Sequence, residues 1–140
     1  MSFYLDASVI VPTLTVQRMS DAAHAFMLEA EPPFLISDLA EGEVASAASR
    51  LVRTRVLTPQ AGRAMLTQFD AWLLAEATPV EMESTDGRAA IALLRRFELM
   101  LRTPDALHVV ISQRLSAELV TFDDRLLLAA TALGLPAHKP

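Results

Sequence analysis

The stretch Ser2-Phe3-Tyr4-Leu5-Asp6-Ala7-Ser8 decides how the rest of the chain is read. Phe3, Tyr4 and Leu5 form an apolar run too short for a helix and suited to a buried strand. A carboxylate closes the run and two small residues follow. Asp6 therefore falls at the C-terminal end of a strand, the edge of an open α/β sheet where ligands bind. A carboxylate there is either the N-cap of the next helix or part of a site. Whether later acids return to the same edge decides between the two.

Working outward, Ala7 to Leu14 reads as a short helix or turn, with Pro12 inside it. Ser20-Asp21 caps a helix that Pro32-Pro33 ends. Phe34-Leu35-Ile36 is a second buried strand, followed by Ser37 and Asp38 as caps for a helix from Leu39 to about Arg55. Gly42 interrupts that helix and predicts a close helix approach there. Thr58 and Pro59 open a further helix as N-cap and first residue. Its Met65, Phe69, Trp72 and Leu73 make one apolar stripe, a core face. Thr78 to Met82 is a weak strand. Ser84-Thr85-Asp86 caps a helix through Leu94, and Thr103-Pro104 starts another. Glu118 to Phe122 is the third clear strand, ending at Asp123-Asp124. Arg125 to Leu133 is the last helix, closed by Gly134, and Leu135 to His138 is an edge strand. Strands alternating with helices predict an α/β fold, a three-layer α/β/α sandwich around a mainly parallel sheet. No linker or repeat divides the chain, so residues 1–140 are expected to form a single domain.

Composition narrows the function. The chain has 140 residues, 52% of them hydrophobic, and no cysteine, which excludes disulfides and thiolate metal sites. No secretory leader is visible, and no apolar stretch approaches the ~18–20 residues that span a bilayer. The expectation is a cytoplasmic protein away from membranes, with enough apolar surface for a homodimer. The net charge of −5 argues weakly against nucleic acid. Of the basic residues, however, all but Lys139 are arginine, the side chain suited to bidentate phosphate contacts.

Four acids fall where a parallel sheet would gather them. Asp6 ends the first strand, Glu43 lies in the second turn of the helix after the second strand, Asp105 is in the first turn of its helix, and Asp123 ends the third strand. Each has an ordinary role open to it as a cap, a first-turn acid or an exposed helix residue, and Glu41 and Asp124 compete with their neighbours. Packed together, the four would repel. A hard divalent cation such as Mg²⁺ or Mn²⁺, which prefers oxygen ligands, removes that cost and suits phosphodiester cleavage. His108, one turn from Asp105, is expected to make a hydrogen bond within the fold rather than to ligate. Arg50, Arg53 and Arg55 on the Glu43 helix, and Arg95, Arg96 and Arg102 before Asp105, are candidate phosphate contacts. Solvated helix surface is the competing reading for each.

Four blocks carry a resemblance: Leu5-Asp6-Ala7-Ser8, Ile36-Ser37-Asp38-Leu39-Ala40-Glu41-Gly42-Glu43-Val44, Thr103-Pro104-Asp105-Ala106-Leu107-His108 and Leu119-Val120-Thr121-Phe122-Asp123. In order and spacing they resemble PIN-domain ribonucleases, and among them the VapC toxins of type II toxin–antitoxin pairs. The resemblance implies an endoribonuclease dependent on Mg²⁺ or Mn²⁺. It also implies a VapB-type antitoxin that blocks the site, and a homodimer or a dimer of toxin–antitoxin pairs. Carried over by position, Asp6, Glu43, Asp105 and Asp123 match the acidic quartet, with metal held chiefly by Asp6, Asp105 and Asp123 and the shell completed by Glu43. Ser8 and Thr121 match small hydroxyl positions that orient carboxylates or water, with ordinary capping and strand roles still open to them. Arg50, Arg53 and Arg102 are the arginines expected on RNA.

Two other readings use the same sheet edge. A receiver-type phosphoacceptor module would want an acidic pair after the first strand and a lysine near the last, whereas Asp6 stands alone and Lys139 lies almost at the terminus. A PIN-like scaffold without catalysis would bind partners only.

Overall fold

A computed structural model describes residues 1–140. Five strands, β1 (Phe3–Leu5), β2 (Phe34–Ser37), β3 (Ala77–Val80), β4 (Glu118–Val120) and β5 (Ala137–His138), form one sheet in the order β3-β2-β1-β4-β5. Every pair is parallel, so the sheet is wholly rather than mainly parallel. The helices are α1 (Ala7–Leu14), α2 (Ser20–Glu29), α3 (Asp38–Arg53), α4 (Pro59–Glu76), α5 (Ser84–Leu94), α6 (Thr103–Arg114) and α7 (Asp124–Ala132). A 3₁₀ turn at Phe97–Leu99 joins α5 to α6. No helix is long and apolar enough to cross a membrane.

Strand alternation builds the layers. Leu5, Phe34 and Ile36 point to one face, where they pack with Val9, Phe26, Val44, Met65 and Phe69 from α1 to α4. Tyr4 and Leu119 point to the other, against Ala90, Val109 and Leu126 from α5, α6 and α7. The sheet is thus covered on both faces, and the apolar stripe of α4 is core as expected. Burying one such side chain is worth about 1.5–3 kcal/mol, so these two cores fix the strand register on which the site depends.

The topology also fixes where a ligand can enter. The helix after β1 lies on one face and the helix after the adjacent β4 on the other. Their first turns diverge and leave a crevice beyond the ends of these two strands. Asp6 and Asp123 stand at its two sides, each as the N-cap residue of the helix that follows.

Several local expectations are corrected. Met19, not Ser20-Asp21, is the N-cap of α2, because the Ser20 hydroxyl is engaged with the preceding turn, accepting from Gln17 N (2.8 Å) and donating to Thr15 O (3.1 Å). Glu83 is the N-cap of α5, with Asp86 accepting from its backbone N–H. α3 ends at Arg53, two residues early, and Arg55 has the left-handed φ of 61°. β4 ends at Val120 rather than Phe122, because the Thr121 hydroxyl accepts from Asp123 N (2.9 Å) and turns the chain into the crevice. Gly42 does not mark a close approach: nothing lies within 4 Å of where its Cβ would be. The close approach is at Gly62, where a Cβ would meet Val52 Cγ2 at 2.6 Å.

Candidate active site

Asp6, Glu43, Asp105 and Asp123 line one cleft of about 530 Å³ at the C-terminal edge of the sheet, together with Ser8, Arg50, Arg102 and His108. Glu43 lines it and Glu41 does not; Asp123 does and Asp124 does not. Helical geometry accounts for the first choice. Glu43 and Arg50 are seven residues apart on α3 and share a face, whereas Glu41 is turned about 200° from Glu43. Asp124 is the first residue of α7 and pairs with Lys139 (2.6 Å). No lysine lines the cleft, which leaves the receiver reading without its basic residue.

Capping and site roles coincide at Asp6. Its Oδ1 accepts from Ser8 N (3.1 Å) and the Ser8 hydroxyl (2.5 Å), while its Oδ2 accepts from the Thr121 hydroxyl (2.7 Å). Ser8 Oγ in turn accepts from Phe122 N at 2.8 Å. Both oxygens of a buried carboxylate are therefore fixed, and β1 is latched to the end of β4. Burial raises the Asp6 pKa, against the hydrogen bonds from the Ser8 and Thr121 hydroxyls. Its charge is held in a place where it is costly, and each oxygen keeps acceptor capacity beyond the bonds it makes.

Asp105 and Asp123 are joined by Arg102. Asp105 Oδ2 accepts from Arg102 N (2.9 Å) and Nε (3.1 Å), and Asp123 Oδ2 accepts from Arg102 Nη2 (3.3 Å). Asp123 keeps its Oδ1 for capping α7, accepting from Arg125 N (2.9 Å) and Leu126 N (3.3 Å). Glu43 Oε2 is bonded to His108 Nε2 at 2.8 Å, so His108 makes a bond within the fold, as expected.

The arginines divide. Arg50 and Arg102 line the cleft. Arg53 lies about 15 Å along the helix axis from Glu43 and lines the gap between α3 and α4 with Pro59, Gly62 and Arg63, outside the cleft. Arg55, Arg95 and Arg96 do not line the cleft either, and Arg96 pairs with Glu98 (2.9 Å). Sequence reasoning missed Tyr4, whose hydroxyl bonds His108 Nδ1 (2.7 Å) and Ser37 Oγ (2.7 Å). The only local signal was its place two residues before Asp6.

No group of three or more His, Asp or Glu side chains is gathered into a ready-made cation cage. The donor set nonetheless fits a hard divalent ion. It is carboxylate oxygen throughout, and one member is buried and costly to ionise. Two others already share a positive group, Arg102, which stands where opposite charge is wanted.

Comparison with known proteins places the fold in a family. The sequence profile of the PIN domain matches residues 3–132. Ribonuclease VapC46 of Mycobacterium tuberculosis is 33% identical over 142 aligned residues, covering 99% of this chain and 98% of that protein. Among solved structures, VapC20 of M. tuberculosis, a sarcin-ricin loop cleaving toxin, superposes with a TM-score of 0.76 at 17% identity, over 99% of this chain and all of that one. VapBC2 from Rickettsia felis, bound to a DNA fragment from its promoter, superposes with a TM-score of 0.71 at 14% identity, over 100% and 99% of the two chains. The fold, the profile and the relative lead to one assignment: this chain belongs to the PIN-domain family, among its VapC-type members.

Proposed function

We propose that residues 1–140 act as one nuclease domain, a divalent-metal-dependent endoribonuclease of the toxin type, held in check by a VapB-type antitoxin. The observation that carries this reading is the convergence of Asp6, Glu43, Asp105 and Asp123, from four separate parts of the chain, on one cleft at the sheet's switch point. Similarity to a VapC ribonuclease along the whole chain supports the RNA substrate. The occurrence of fold relatives as toxin–antitoxin complexes supports the protein partner and an assembly of paired copies.

Asp6, Asp105 and Asp123 would hold Mg²⁺ or Mn²⁺, with Glu43 completing the shell directly or through water. A bound ion of this kind supplies Lewis acidity that activates water and offsets charge on the phosphate. The chain's own groups do the rest. Ser8 and Thr121 keep Asp6 from moving. Arg50 and Arg102 flank the acids and offer the positive charge that an RNA backbone needs. Arg102 is exposed and shared between two carboxylates, so it is free to turn to a phosphate.

Purified, antitoxin-free protein on a fluorogenic RNA pool of random sequence tests the reading. Cleavage is expected with Mg²⁺ or Mn²⁺, none in EDTA, and none from Asp6→Asn. No cleavage by the wild type with either ion, or equal cleavage by Asp6→Asn, would overturn it and favour a scaffold without catalysis.

A further inference from the structure

We propose that Ser37, Tyr4 and His108 form a one-way hydrogen-bond relay that positions Glu43, holding its Oε2 and leaving Oε1 to face the cleft. The inference rests on the nuclease reading of that cleft and gives three buried polar residues a place in it.

The relay starts at the N-cap of α3 and ends within that helix. Ser37, the N-cap of α3, accepts from Ala40 N (3.2 Å). Its Oγ lies 2.7 Å from the Tyr4 hydroxyl on β1. That hydroxyl lies 2.7 Å from His108 Nδ1 on α6, and His108 Nε2 lies 2.8 Å from Glu43 Oε2, back on α3. Ser37, Tyr4 and His108 are all buried, so water cannot complete a missing bond, and each hydrogen needs an acceptor within the chain.

That requirement sets the direction. If Ser37 donates to Tyr4, Tyr4 to His108 Nδ1, and His108 Nε2–H to Glu43, every hydrogen has an acceptor and the Glu43 carboxylate receives the last. If the chain runs the other way, Tyr4 donates to Ser37 and the Ser37 hydroxyl hydrogen is left buried with no acceptor. Only the first direction is fully satisfied. Burial pushes the Tyr4 hydroxyl pKa well above its ordinary value, which keeps that donor protonated. His108 is thereby fixed as the Nε2–H tautomer, the arrangement in which one ring nitrogen is set by the bond the other makes. No other side chain bonds Glu43, so its orientation depends on this path.

The test uses ¹⁵N-histidine-labelled full-length protein and Mn²⁺ as the probe. Two-bond ¹H–¹⁵N spectra report each ring's tautomer, and the signal that survives in a His24→Gln/His138→Gln double variant belongs to His108. The Nε2–H form is expected in the wild type; the Nδ1–H form would overturn the relay. Tyr4→Phe keeps the buried ring and removes only the relay oxygen. It is expected to mix the tautomers, weaken Mn²⁺ binding by about 10-fold, and lower kcat on the random RNA pool with KM unchanged. His108→Gln, which retains an N–H toward Glu43, is expected to recover part of the kcat that His108→Leu loses, at equal thermal stability. Wild-type Mn²⁺ affinity and wild-type kcat in Tyr4→Phe would contradict the proposal. The tautomer and Mn²⁺ measurements need no RNA, so they decide the relay whether or not the ribonuclease reading holds.

Discussion

Two buried aspartates in this molecule have the same local chemistry and opposite surroundings. Asp86 and Asp105 each occupy the third position of a helix, accept from the backbone N–H of the residue before it, and pair with an arginine. Between α5 and α6, Arg114 clasps both Asp86 oxygens (Nε–Oδ1 2.8 Å, Nη2–Oδ2 2.8 Å) and also bonds Glu83 Oε1 (3.0 Å) and Glu81 O (3.0 Å). In the cleft, Arg102 divides itself between Asp105 and Asp123 with longer bonds, and its side chain is 61% exposed against 26% for Arg114. Arg102 also reaches Asp105 Oδ1 (3.4 Å), so each aspartate accepts three hydrogen bonds; the Asp86 set is short and enclosed, while the Asp105 set is longer and made by an exposed arginine that is free to leave. A structural ion pair and a site ion pair thus differ in their outer neighbours rather than in the pair.

The largest effect that could break this comparison is on activity. Asp105→Asn is expected to lower RNA cleavage on the order of 10²–10³-fold, with folding kept because the amide oxygen can still accept from Arg102 N. Asp86→Asn is expected to leave the rate of the folded fraction at the wild-type value. Single-turnover cleavage normalised to folded protein checks both.

Stability should show the reverse order. Arg114→Met leaves Asp86 buried without its partner and is expected to cost about 3 kcal/mol in urea unfolding. Arg102→Met also takes a partner from a buried aspartate, but is expected to lose less, because Arg102 is 61% exposed, its bonds are longer and water can take their place. Equal losses from the two would erase the distinction.

The acids also divide by pH. Hydrogen bonds from Arg114 hold the Asp86 pKa below the ordinary carboxylate range. Its stabilisation is full above the unfolded value of about 3.9 and lost as pH falls through the lowered one. Asp6 is the opposite: burial raises its pKa, so its charge costs stability at neutral pH; the cost starts to shrink as pH falls through the raised value and is gone below the unfolded value of about 3.9. Asp6→Asn is therefore expected to raise Tm at pH 7 while abolishing cleavage, with the advantage shrinking on acidification. Thermal scans across pH 4–7 follow the difference.

Much of this was legible before any coordinates. The short runs Phe3-Tyr4-Leu5, Phe34-Leu35-Ile36 and Glu118 to Phe122 read as strands because nothing longer fits between their flanking breakers, although the last stops at Val120. The four acids sit at strand ends or early in helices, positions that topology alone carries to one edge. The illegible part is contact across sequence distance. That Thr121 holds Asp6, more than a hundred residues away, was open to the family resemblance and not to strand pattern or spacing. Tyr4 and His108 are ordinary core residues until the sheet brings them together. Arg53 looked equivalent to Arg50 because spacing along α3 conveys a face and not how far the cleft extends. Gly42 and Gly62 both break helical preference, and only packing tells them apart.

That last pair yields the smallest effect. Gly42 neighbours Glu43 and has open space around it, so Gly42→Ala is expected to gain about 0.5–1 kcal/mol. Gly62→Ala, which would press on Val52, is expected to lose about 1 kcal/mol or more. A gain at Gly42 with cleavage unchanged would mean that helix stability beside the site is below its optimum.

The most direct test of the central claim is Mn²⁺ titration followed by electron paramagnetic resonance, run on the wild type and on Asp6→Asn, Glu43→Gln, Asp105→Asn, Asp123→Asn and Asp86→Asn. The account predicts a saturable Mn²⁺ site that each of the four cleft substitutions weakens and Asp86→Asn leaves intact. Wild-type Mn²⁺ binding in Asp6→Asn and Asp105→Asn, or an equal loss in Asp86→Asn, would contradict it.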